Sequence, residues 1–192
     1  MTDLRYLWSK GKAVVLLLAG RREAALAVFD DMVGRWPEAA YPRASRAHLL
    51  AQAGRHAQAL ADYDTLLRAS PDDARAWFNK GFVLELLQRW DEALVAFRRA
   101  TELSPDLDRA WYGQGLVLIR LQRFEEAIAA LERNTELQPM SPYGWYQLAR
   151  IHVDRKQPEE AVKIIRRLKG FEPKVAAQLE RETGLLVSGT GN

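Results

Sequence analysis

The sequence predicts an all-α fold: an α-solenoid of five helix-turn-helix units followed by a C-terminal capping helix. Three observations predict it. Prolines recur at Pro37, Pro71, Pro105, Pro139 and Pro173, each 34 residues after the last. Alanines keep the same phase at Ala25, Ala59, Ala93, Ala127 and Ala161. A small residue stands twelve positions before each alanine (Ala13, Ala47, Gly81, Gly115, Ala149) and a bulky one four positions after it (Phe29, Tyr63, Phe97, Leu131, Ile165). Five unbroken registers mean one structural repeat copied in tandem.

The repeats run over about 6–39, 40–73, 74–107, 108–141 and 142–173. The third shows the logic. Over 74–87, Trp77, Gly81 and Leu84 fall on one helical stripe. Asp73 is placed to cap that helix, and Pro71 lies before it, where its missing N–H costs nothing. Gln88-Arg89 makes a short turn, and 90–103 is the second helix, with Ala93, Phe97 and Ala100 on one face. Asp91 and Glu92 sit in its first turn, where negative charge suits the helix dipole. Gly81 and Gly115 cost helix propensity, so they mark where the two helices of a repeat approach closely, with Ala93 meeting that crossing from the other helix. A single helix pair cannot bury its apolar face alone; stacked neighbours do it for one another.

After Pro173, residues 174–184 read as a capping helix stopped by Gly184. Val175, Ala176 and Leu179 cover the last repeat, while Glu180, Arg181 and Glu182 face water. Residues 1–184 are thus expected to form a single array, with 185–192 a flexible tail.

Composition narrows the function. The net charge of +3 and pI near 9.3 fall short of the clustered basic residues of a nucleic-acid binder. Without cysteine there is neither a disulfide nor a thiolate metal site. Lys10 and Lys12 precede the apolar run Ala13–Ala19, which is too short to span a bilayer and lacks a signal-cleavage context. Met1 reads as a natural start. The expectation is a soluble, cytoplasmic protein with no membrane or nucleic-acid partner, and the alanine and arginine content hints at a bacterial source. His48, His56 and His152 have no companion ligands at metal spacing, and His152 falls on the packed face. The acidic pairs Asp72-Asp73, Glu125-Glu126 and Glu159-Glu160 stand at helix starts, where they serve the dipole. No phosphate loop or nucleophile motif is present, so no cofactor, metal or catalytic residue is expected, and the chain is not read as an enzyme.

Trp77, Gly81, Ala93, Phe97, Ala100 and Pro105, together with Trp111, Gly115, Ala127, Pro139 and their phase-mates, resemble the tetratricopeptide repeat family over residues 6–173. The sequence departs from the family pattern at Ser9 and Lys12 in repeat one, at Arg43 in the tryptophan position of repeat two, and at His152 in repeat five. The resemblance implies a right-handed superhelix whose first helices line a concave groove for a peptide or partner protein. Its groove positions map onto Arg75, Phe78, Asn79 and Phe82 in repeat three, Arg109, Tyr112 and Leu116 in repeat four, and Tyr143, Tyr146 and Arg150 in repeat five. Phe78, Phe82, Tyr112, Tyr143 and Tyr146 would then make an aromatic band, the tryptophans and leucines of the same helices filling the core. The arginines favour an acidic ligand or a terminal carboxylate. The full lysine-asparagine-arginine clamp of the chaperone-binding members is absent from every run of three repeats, so chaperone C-termini are not expected ligands. A second expectation is a homo-oligomeric scaffold, self-associating through Leu4, Leu7, Trp8, Val14 and Leu17 of the apolar first helix.

Overall fold

The computed structural model describes residues 3–187. Among them are eleven α-helices and no strand: α1 Leu4–Leu18, α2 Arg22–Arg35, α3 Ala40–Gln52, α4 His56–Ala69, α5 Ala74–Leu86, α6 Trp90–Leu103, α7 Asp108–Arg120, α8 Phe124–Leu137, α9 Pro142–Asp154, α10 Pro158–Lys169 and α11 Pro173–Thr183. The helix pairs follow the five predicted repeats, and α11 begins at the last of the repeating prolines. The chain divides into two compact units, Met1–Ala96 and Phe97–Asn192.

In the first unit each helix packs on the next, α1 on α2 through to α4 on α5, and α3 also meets α5. The repeating small positions sit at these contacts: Ala13, Ala25, Ala47 and Ala59 are all 0 % exposed, and Ala93 of α6 is equally buried. Asp73 caps α5 as expected, its Oδ1 accepting from the amides of Arg75 and Ala76, both at 3.0 Å. A buried carboxylate fastens α3 to α4. Asp62 accepts from Arg46 Nε at 2.8 Å and Nη2 at 2.5 Å, and Arg46 reaches on to Asp30 of α2.

In the second unit α7 packs on α8, α8 on α9, α9 on α10, and α11 on both α10 and α9. Glycine makes the close approaches here. A Cβ on Gly115 would lie 2.6 Å from Leu131 Cγ, one on Gly113 2.7 Å from Phe97 Cζ, and one on Gly144 2.8 Å from Thr135 Cγ2. The contact at Gly115 is the crossing within a repeat that the pattern predicts. Those at Gly113 and Gly144 join one repeat to the next, a role that their positions outside the alanine phase conceal.

The turn inside every repeat holds one residue in the left-handed region: Gly20 and Gly54, then Gln88, Gln122 and Lys156, with φ between 57° and 74°. The position recurs with the 34-residue period although the residue type changes. Three repeats carry a side chain where glycine is unstrained.

The tryptophans do not fill the core as expected. Trp77, Trp111 and Trp145 are half-buried, and each indole N–H donates to the carbonyl of the proline six residues back, at 2.8, 3.0 and 3.0 Å. The core beside them is made by Val83, Leu84, Val117, Leu118, Leu148 and Ile151, all at most 2 % exposed. Arg43 occupies the equivalent position in repeat two and makes the same bond, Nη2 donating to the Pro37 carbonyl at 2.9 Å. The common requirement across these repeats is therefore an N–H donor that ties the helix start to the preceding turn, which a guanidinium meets as well as an indole.

Two further expectations are corrected. Val187, assigned to a flexible tail, is 5 % exposed and packs in the cluster of Ala149, Ile165, Leu168, Ala176 and Leu179. The remainder of that tail, 188–192, lies outside the described residues. Glu180 and Glu182 do not simply face water: Glu180 pairs with Lys169 at 2.8 Å and accepts from the Val187 amide, and Glu182 turns onto α9.

Candidate functional site

The residues expected to contact a partner fall in both units. In the first, Arg75, Phe78, Asn79 and Phe82 are spaced i, i+3, i+4 and i+7 along α5, so helix geometry places them on one stripe. Arg75 is exposed, Phe82 is 48 % exposed, and Phe78 and Asn79 are half-buried. That stripe presents apolar surface flanked by a cation and an amide.

In the second unit Arg109, Tyr112 and Leu116 belong to α7, and Tyr143, Tyr146 and Arg150 to α9. The packing of these two first helices brings the rings of Tyr112 and Tyr143 together edge to face, their centroids 6.4 Å apart at 63°. Tyr143 is still 68 % exposed, far more than a core aromatic retains. Leu116 is half-buried beneath this face, and Arg109 is exposed beside it.

Tyr146 and Arg150 lie one turn apart and converge on a carboxylate from α11. Glu182 Oε2 accepts from the Tyr146 hydroxyl at 2.6 Å and from Arg150 Nη1 at 3.0 Å, while its Oε1 accepts from Gln178 Nε2 at 2.7 Å. The hydrogen bond from Tyr146, then that from Gln178, holds the Glu182 carboxyl below its ordinary value. Reciprocally, the bond to Glu182 and then burial raise the Tyr146 phenol. Arg150, expected to await an acidic ligand, thus already holds an acidic group of its own chain. No spacing rule reveals this, because Glu182 lies 32 residues beyond Arg150 and is carried there by α11.

His152 is half-buried as anticipated, its Nδ1 2.9 Å from Gln157 Oε1. No group of three or more metal-ligating side chains occurs among the described residues, and none of their helices is long and apolar enough to cross a membrane. Three of the carboxylates at helix starts make ion pairs: Glu126 with Arg123 and Arg98, Glu125 with Arg155, Glu160 with Lys163. In α1, Leu4 (81 %), Trp8 (68 %), Val15 (65 %) and Leu18 (85 %) are strongly exposed. Leu7 and Val14 are less so, and Leu17, expected on the same surface, is half-buried.

Two profiles described as tetratricopeptide repeat match the sequence, one over residues 45–108, 87–133 and 112–176 and the other over 11–31. No curated protein matches significantly. Among solved structures the fold is similar to MamA 41-end from Desulfovibrio magneticus RS-1, at 22 % identity and a TM-score of 0.81, covering 95 % of this chain and 98 % of that one. It is also similar to YrrB, described as a TPR protein with an unusual peptide-binding site, at 20 % identity and a TM-score of 0.77, covering 94 % and 92 %. A third is a thermophilic TPR protein from Thermus thermophilus, at 19 % identity and a TM-score of 0.66, covering 94 % and 100 %.

Proposed function

Because the chain belongs to the tetratricopeptide-repeat family, and so has the fold of a protein-interaction scaffold, we propose that it is a non-enzymatic adaptor holding an extended peptide or a partner helix on its first-helix faces. The observation that carries this is the Tyr112–Tyr143 pair: two aromatic rings meeting edge to face across neighbouring first helices, one of them 68 % exposed. Aromatic anchors beside arginines are the side chains that dominate binding energy, since they bury large area at little entropy cost. Phe78 and Phe82 offer a comparable apolar stripe on α5 of the first unit. The ion pairs that Glu125, Glu126 and Glu160 make with basic neighbours support the non-enzymatic reading, since these three helix-start carboxylates are engaged by cations. YrrB shares the fold and carries a peptide-binding site, although at this identity the likeness speaks for the fold alone.

The test is capture from lysate by wild type beside two variants, Phe78→Ala/Phe82→Ala and Tyr112→Ala/Tyr143→Ala. A protein retained by wild type and lost by either variant, with the helical signal unchanged, assigns the face. Equal capture by all three overturns the reading.

A second reading is self-association through α1, favoured by the exposure of Leu4, Trp8, Val15 and Leu18. Contiguous apolar surface of this kind pairs with like surface. Light scattering at high concentration should then detect a dimer that Trp8→Glu abolishes; a strict monomer rejects it.

A further inference from the structure

We infer that Tyr146 and Arg150 form a receptor for a glutamate or aspartate side chain of the partner segment, and that Glu182 of α11 is its tethered occupant. This rests on the reading of the α7–α9 face as a partner site. The geometry is that of a receptor already filled. A hydroxyl at 2.6 Å and a guanidinium at 3.0 Å, from residues one helical turn apart, aim at one carboxylate oxygen that comes from another element. Charge-assisted bonds of this kind distinguish a carboxylate from its amide, because the amide oxygen lacks the charge that attracts the guanidinium.

Glu182 is not what seats α11. That helix is held by Ala176 and Leu179, both 0 % exposed, by Val187, and by the Lys169–Glu180 pair at 2.8 Å. The Glu182 side chain can therefore leave while its helix stays. The pair it makes is also open to solvent, with 45 % of the Arg150 and 32 % of the Glu182 side chain exposed. An ion pair so placed exchanges readily. Tyr143 precedes Tyr146 by three residues on α9, so the aromatic anchor and the carboxylate subsite share a helix face. The partner segment that fits carries an apolar or aromatic side chain close to an acidic one. Glu182 competes with the acidic one, setting a threshold that a weakly acidic or neutral segment does not pass.

The test uses the full chain and two fluorescein-labelled octapeptides, one alternating glutamate with phenylalanine and one alternating glutamine with phenylalanine, read by fluorescence polarisation. Glu182→Ala should bind the glutamate peptide about fivefold more tightly than wild type, the scale of one exposed ion pair. It should show no such gain for the glutamine peptide, and its thermal melt should show α11 still seated. The gain should vanish in Glu182→Ala/Arg150→Ala. Equal affinity of wild type and Glu182→Ala, or a gain that survives loss of Arg150, overturns the proposal. Tyr112→Ala separates the two readings. Weakened binding without any Glu182 effect leaves the face and removes the tether. A Glu182 effect with Tyr112→Ala unchanged leaves the carboxylate receptor and removes the aromatic anchor.

Discussion

Gly115→Ala and Gly11→Ala are the same chemical change in two helix interiors, and they should move stability in opposite directions. In α1 a Cβ on Gly11 meets nothing within 4 Å. The substitution there changes helix propensity alone, a gain of about 1 kcal/mol. In α7 a Cβ on Gly115 would lie 2.6 Å from Leu131 Cγ and 2.8 Å from its Cδ2. Carbon atoms in contact keep roughly 3.5–4 Å. Leu131 is 0 % exposed and cannot swing into solvent, so either α7 and α8 separate or Leu131 leaves its rotamer. Overpacking of this kind costs about 1–3 kcal/mol. Set against the same propensity gain, Gly115→Ala should be destabilising by roughly 0–2 kcal/mol, and the two variants should differ by about 1–3 kcal/mol. At about 2–4 °C per kcal/mol for a chain of this size, the separation in melting temperature is at least about 2 °C. Parallel thermal melts followed by circular dichroism at 222 nm measure it. If Gly115→Ala melts at or above Gly11→Ala, the close-approach reading of the glycine phase is wrong.

The left-handed turn position gives a second prediction: Gln122→Gly, at φ 58°, should raise stability by about 1 kcal/mol, while Gly54→Ala, at φ 74°, should lower it by a similar amount, both seen as shifts in urea midpoint. Removing the indole donor by Trp111→Phe should cost about 1 kcal/mol, and Arg43→Met should lose the matching bond in repeat two, each read from the same urea curves. The Tyr146–Glu182 contact predicts a pH dependence. Glu182 is held below its ordinary value of 4.5, so its contribution is present above that pH and is lost as pH falls through the lowered value. Carboxyl carbon NMR should place the Glu182 midpoint below 4.5 and show it rising in Tyr146→Phe; a midpoint unmoved by that substitution would reject the hydrogen bond as its cause.

The candidate site was legible in part. The family resemblance pointed to Tyr112, Tyr143, Tyr146 and Arg150 on first helices; in the structure Tyr112 and Tyr146 are half-buried, and Tyr143 and Arg150 are exposed. What phase could not supply was the occupant of Arg150. A one-dimensional period orders residues within and between like repeats, whereas α11 starts at its in-phase proline and not after it as α3, α5, α7 and α9 do, so the direction of its side chains depends on how it docks against α9 and α10.

The same division holds for the whole chain. Sequence by itself determined the helix pairs, their number and the small positions Ala13 to Ala161, because a tandem repeat must satisfy one packing problem five times and leaves the solution written at fixed intervals. Only the tertiary structure decided what the unlike residues at equivalent positions do. Arg43 stands in for a tryptophan because both present an N–H to a proline carbonyl, Gln88 and Lys156 take the left-handed backbone that Gly20 and Gly54 take in the equivalent turns, and Glu182 answers Arg150 because packing brings α11 against α9. For Arg43 and Glu182 the deciding contact lies between groups brought together by folding, and for Gln88 and Lys156 it is a backbone angle set by the turn; residue type read along the chain records neither.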